Sequence, residues 1–113
     1  MIAQYFKEKD GAETIVSGKS FLAYIANAES GECYISEFHL DPEHRHSPKH
    51  FISLMREINE RAKASQCSFL SCAVPMSHLR RSEVLLTYLK FGFTLHSLEA
   101  SRIVLVKDLK EKH

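Results

Sequence analysis

The sequence has no long apolar run, no excess of charge of either sign, and no repeat, low-complexity stretch or linker. Its 15 Lys+Arg against 14 Asp+Glu give a formal net charge of +1 over 113 residues. That balance does not indicate binding to nucleic acid or a membrane through bulk charge. Nucleic-acid binding through one basic loop is the weakest class, since no basic aromatic surface accompanies the loop. The first ten residues, Met1–Asp10, carry neither a signal-peptide pattern nor a membrane span. Cysteine is scarce. Cys33, Cys67 and Cys72 are odd in number and lack metal-type spacing. They read as buried free thiols in a reducing compartment, so the expected location is cytoplasmic. A nucleophilic cysteine is disfavoured, because no base can be paired with one from the sequence.

What is present suits one globular domain over residues 1–113, with 44% hydrophobic residues and a single core. Residues 1–12 read as an N-terminal extension and 107–113 as a frayed tail. Strands are expected over Glu13–Val16 and Phe21–Ala26, with Ser17-Gly18 as a turn signal between them. A third strand over Cys33–Leu40 changes phase. Cys33 and Ile35 share one face, but Phe38 and Leu40 fall on the other unless a bulge near Ser36-Glu37 realigns them. Ser47-Pro48 opens a helix. Phe51, Leu54, Met55, Ile58 and Ala62 form its apolar stripe.

Cys67–Val74 is nearly all apolar or small and reads as a strand buried on both faces. A second helix starts near Ser77 or Ser82 and runs to about Phe91, with Val84, Leu85, Tyr88 and Leu89 facing inward. Gly92 ends it. Strands over Phe93–Leu98 and Arg102–Val106 complete the order β-β-β-α-β-α-β-β. That order implies an α/β (α+β) fold, a mixed sheet with helices packed on it and a parallel pair flanking the first helix.

Two segments carry a family resemblance, which spans Glu13–Val106. The run from Ile35 through Glu37, Leu40, Pro42 and Glu43 to Arg45 is similar to the often bulged fourth strand of the GNAT N-acetyltransferase superfamily and the approach to its acyl-CoA loop. The run Thr87-Tyr88-Leu89-Lys90-Phe91-Gly92-Phe93 resembles the Leu-Tyr-x-Lys-x-Gly-Phe signature of the same family, with Thr87 in place of the leucine. The departures lie in the pyrophosphate loop, Gln/Arg-x-x-Gly-x-Gly/Ala in the family. Arg45 fits its first position, while Pro48 and His50 stand where small residues allow backbone to approach phosphate. Arg81 replaces a common asparagine. The family's N-terminal strand and two helices have no counterpart in this reading. Short GNAT-like chains of this kind occur in viruses.

The segment Glu43–His50 should sit at a helix N-terminus, where free N–H groups and the helix dipole favour an anion. Arg45, His46, Ser47, Lys49 and His50 would supply side-chain contacts to phosphate in place of the missing glycines. The competing reading is a solvated basic loop. A metal reading of His44, His46 and His50 is disfavoured: His46 and His50, four apart, could face the same way, but no convincing third ligand joins them and Pro48 interrupts them. The resemblance implies that Glu37 deprotonates the attacking amine, with His39 in reserve, and that Tyr88 protonates the departing thiolate. Glu37 is equally an ordinary surface glutamate, and Tyr88 a core tyrosine with a polar tip. The resemblance further implies that the third and fourth strands splay apart. The pantetheine arm would lie between them against the backbone of Phe38, His39 and Leu40.

Two functions follow. One is transfer of an acetyl group from acetyl-CoA to an amine of an unknown small-molecule or protein acceptor. The other is a catalytically inactive GNAT-like module that binds another protein, for example a virus-encoded inhibitor or virion component. In either case a homodimer or protein partner is expected to cover exposed sheet. No membrane association is expected.

Overall fold

A computed structural model describes residues 11–44, 49–75, 88–99 and 101–109. Among these residues six strands form one sheet: β1 (Glu13–Ser17), β2 (Ser20–Asn27), β3 (Glu32–His39), β4 (Phe69–Pro75), β5 (Thr94–Leu98) and β6 (Arg102–Asp108). Their spatial order is β1-β2-β3-β4-β6-β5. Every pairing is antiparallel except β3 with β4. Helix α1 (Lys49–Ala64) connects this parallel pair, as a crossover must.

The β1–β2 connection is a two-residue hairpin closed by the pair Ser17↔Ser20. Gly18 takes φ 59° at its first central position. Glycine adopts that value at no steric cost, and the resulting turn matches the twist of the flanking strands. Phe51, Leu54, Met55, Ile58 and Ala62, the stripe expected from sequence, are the buried residues of α1. They pack on one face of the sheet against Leu22, Tyr24, Cys33, Ile35, Leu70, Cys72, Val74, Ile103 and Leu105. Alternation along each strand puts these residues on a single face. A smaller cluster on the opposite face joins Ala12 and Ala23, with Phe21 and Ile25 packed against it.

The phase change in β3 is resolved by the expected bulge. Ala23 pairs with Glu37 and Tyr24 with Ile35, so Ser36 is the extra residue. Its hydroxyl donates to the carbonyl of Ala23 at 3.3 Å. One inserted residue reverses the alternation. Phe38 and Leu40 therefore join the α1-side core with Cys33 and Ile35.

Of the second predicted helix, residues 88–90 are described and are helical; Ser77, Ser82, Val84 and Leu85 lie outside the described residues. The turn ends as expected at Gly92, which takes φ 94°. The expected frayed tail needs correction at its start. Strand β6 continues to Asp108, and Leu109 is 8% exposed with its N–H bonded to the carbonyl of Ser68. Backbone pairing with β4 runs through Asp108 and offsets the polarity of Lys107 and Asp108.

Inserting one alanine between Glu37 and Phe38 should reverse the alternation again and turn Phe38 and Leu40 out of the core. Urea unfolding should then show a loss of about 2–4 kcal/mol, the burial of one to two large apolar side chains. Unchanged stability would mean that the bulge does not set the register of β3.

Candidate functional site: the opening between β3 and β4

The parallel pair β3–β4 runs from Glu32↔Phe69 to Ile35↔Cys72. Beyond that point each strand follows its outer neighbour. β3 stays with β2 to the pair Phe21↔His39, and β4 stays with β6 to Pro75↔Arg102. The bulge at Ser36 falls immediately after the last β3–β4 pair. A bulge bends its strand and increases local twist, so β3 leaves β4 at this residue. Among the described residues, the backbone of Glu37, Phe38 and His39 has no pairing partner on β4.

Aromatic side chains wall the opening on the α1 side. The ring of Phe38 lies 5.3 Å from that of Phe51 and 5.8 Å, edge-on, from that of Tyr88. Tyr88 also meets Phe93 at 5.1 Å, and Phe51 meets Phe91 at 4.9 Å. Tyr88 is 3% exposed, and its hydroxyl lies beside the sulfur of Cys72. Cys72 forms the last β3–β4 pair, so the phenol is held at the vertex of the opening. Burial, and then the neighbouring Cys72 sulfur, push the Tyr88 hydroxyl well above its ordinary range. It therefore keeps its proton and can serve as an acid but not as a base. The sequence offered no sign of this partnership. Cys72 reads as one small apolar residue among several in its strand.

Glu37 and His39 share the opposite face, since the bulge precedes both. Both are exposed. Glu37 pairs with Ala23, and His39 packs against Phe21 at 5.3 Å between ring centres. Glu37 and Tyr88 thus stand on opposite sides of the sheet at one end of one opening. Leu40 is half-buried against the core.

After β3 the chain is tied to the β1–β2 hairpin. The Asp41 N–H donates to the Ser20 hydroxyl at 2.9 Å, and Lys19 reaches Glu43 at 3.2 Å. Residues 42–44 form a short 3-10 turn started by Asp41, whose carboxylate accepts the Glu43 N–H at 2.9 Å. Lys49 is exposed at the start of α1. His50 lies in the same first turn, with its Nδ1 hydrogen-bonded to the Ser17 hydroxyl at 2.8 Å. No acidic residue occupies that turn. Arg45, His46 and Ser47, together with Pro48 and Arg81, lie outside the described residues.

The three cysteines are buried and free, as the sequence suggested. Burial raises the Cys72 thiol to about 12, partly offset by the Tyr88 hydroxyl. Burial, with Cys67 and Glu32 adding to it, raises Cys33 to about 12. Neither is a thiolate at neutral pH, which argues against a nucleophilic role for them. Both folded-state values lie above the ordinary 9.0, so the neutral thiols favour the folded state. That contribution is complete below about pH 9 and is lost as pH rises toward about 12. Stability from urea unfolding should decline across that alkaline window. A Cys33→Ala, Cys72→Ala double variant should decline less steeply; an identical slope would refute the assignment.

Comparison with known proteins adds to this geometry. No family model matches the chain, and no curated protein is similar to it in sequence. Solved structures are similar in fold. Nourseothricin acetyltransferase superposes with a TM-score of 0.77 at 17% identity, covering 89% of this chain and 67% of that one. The PaiA N-acetyltransferase from Thermoplasma acidophilum, in complex with coenzyme A, gives 0.67 at 19% identity, covering 79% and 52%. An acetyltransferase of the GNAT family from Desulfovibrio desulfuricans gives 0.75 at 12% identity, covering 95% and 76%. The chain spans about half the length of the Thermoplasma acidophilum protein and two thirds of the first. At these identities the likeness speaks to architecture: the chain has the fold of the GNAT acetyltransferases.

Proposed function

We propose that this chain is an acyl-CoA-dependent N-acetyltransferase that acts on an amine of a small molecule or protein. The observation that carries the reading is the separation of β3 from β4 at the Ser36 bulge, with a protonated tyrosine at its vertex. An arm with amide groups needs a strand with unpaired backbone to lie against, and Phe38, His39 and Leu40 provide one. Acetyl-CoA supplies an activated acyl thioester. The helix dipole and first N–H groups of α1 favour the pyrophosphate. Arg45, His46, Ser47, Lys49 and His50 are the side chains proposed to add contacts there. The hydrogen bond of His50 to Ser17 fixes the orientation of its ring at the start of α1.

Glu37 is the proposed base. An ammonium has no lone pair, so its proton must be removed before it can attack a carbonyl. An exposed carboxylate at the rim can accept that proton directly or through water, with His39 two residues away as the alternative acceptor. The Tyr88 hydroxyl, protonated at neutral pH, is the proposed donor to the departing thiolate. No covalent enzyme intermediate is needed. Positioning, the base and backbone N–H groups at the opening carry the catalysis.

The second reading is a binding module without turnover. Pro48 and Arg81, which depart from the family pattern, favour it. Calorimetric titration with acetyl-CoA separates the two. The enzyme reading requires micromolar binding, weakened several-fold by Arg45→Ala. Binding absent at millimolar concentration would favour the module. With a panel of primary amines, thiol release from acetyl-CoA should fall about 10²-fold in Glu37→Gln while acetyl-CoA affinity is kept. Full activity in that variant would remove Glu37 as the base.

A further inference from the structure

The sheet face turned away from α1 carries a cleft separate from the opening between β3 and β4. Its floor is the closed part of the sheet, where Tyr34 pairs with Ser71 ahead of the bulge. Ser71 and Ala73 alternate with Leu70, Cys72 and Val74 of the core, and Val104 alternates with Ile103 and Leu105. Alternation puts all three on the open face. The cleft encloses about 400 Å³, within the range of roughly 300–1,000 Å³ typical of small-molecule sites.

Its charges are unevenly compensated. At one end Arg102 donates to Glu99 at 2.6 Å, so that pair is neutral as a unit. At the other end Glu32 accepts a hydrogen bond from the Ser71 hydroxyl through Oε2. Glu32 forms no ion pair among the described residues. Ser71 is 4% exposed, so the bond sits on the floor of the cleft. Between the two ends the lining is Ile25, Ala73 and Val104 with the ring of Tyr34.

We propose that this cleft binds a small organic cation, an ammonium or guanidinium head on a short apolar body. The head would lie at the Glu32 carboxylate and the body along Ile25, Ala73 and Val104. One uncompensated carboxylate favours a single positive charge. A metal ion is disfavoured, because a hard cation needs several convergent oxygen ligands. An anion meets Glu32, and among the described lining residues the one cation, Arg102, is already paired with Glu99. The inference does not depend on acetyl transfer; it concerns a different part of the sheet.

The test is an amide-shift NMR titration of the full chain with n-butylammonium, without acetyl-CoA, and with butyrate and n-butanol for comparison. Saturable shifts should appear at Tyr34, Ser71, Ala73 and Val104 with the ammonium and not with butyrate. Glu32→Gln keeps an acceptor for Ser71 and removes the charge; it should weaken binding about tenfold. Ala73→Leu fills the floor, keeps Glu32 and should abolish binding. Absence of saturable shifts, equal response to butyrate or n-butanol, or unchanged affinity in a folded Glu32→Gln protein would overturn the proposal. Acetyl-CoA binding is measured separately, so either reading can fail alone.

Discussion

One inserted residue governs the functional end of this molecule. Ser36 adds a step to β3 that β2 does not match, and two consequences follow from the same displacement. The alternation of β3 reverses, which carries Phe38 and Leu40 into the core shared with α1. The strand also bends away from β4, which ends their pairing at Ile35↔Cys72. Without the bulge, β3 would either expose two large apolar side chains or continue alongside β4 and close the opening. The core and the candidate site thus depend on the same local irregularity. The Ser36 hydroxyl binds the Ala23 carbonyl and so supports the bulge from within the sheet.

The opening is dry on one side and wet on the other. Rings of Phe38, Phe51, Tyr88 and Phe93 fill the α1 side and take the Tyr88 hydroxyl out of water, with the Cys72 sulfur beside it. Sulfur is a weak acceptor, so the neighbouring Cys72 offsets little of the desolvation. The phenol stays protonated for that reason. Glu37 and His39 meet solvent on the other face. A sheet that parts between these environments can hold a protonated acid on its dry side and a solvent-exposed carboxylate on the other. Nothing in the fold alone requires the chemistry to occur, since one architecture hosts many functions.

Much of this was legible in the sequence, because it followed from periodicity. The apolar stripe of α1 from Phe51 to Ala62, the hairpin at Gly18 and the stop at Gly92 each rest on local rules. The bulge was legible for the same reason: Ile35 and Phe38 cannot share a face at a spacing of three unless one residue is inserted. The run from Tyr88 to Phe93 carried the family resemblance. The extent of β6 was not legible. Lys107 and Asp108 look like tail, and only pairing with β4 shows them as strand. Nor was the Tyr88–Cys72 contact, which joins residues sixteen positions apart through the packing of a helical turn on the sheet. The open-face cleft depends on Glu32, Ser71 and Arg102 from three strands, and no linear pattern brings these together. The loop residues Arg45, His46 and Ser47 remain a reading of residue type and spacing.

The separation of β3 from β4 is the proposed slot for an acyl-CoA arm. Hydrogen exchange at single-amide resolution, with and without acetyl-CoA, tests it most directly. Amides of the Phe38–Leu40 segment should gain protection when acetyl-CoA is added, while those of the paired Glu32–Ile35 segment should change little. Acetyl-CoA binding that protects other parts of the chain and leaves Phe38–Leu40 unchanged would contradict the account.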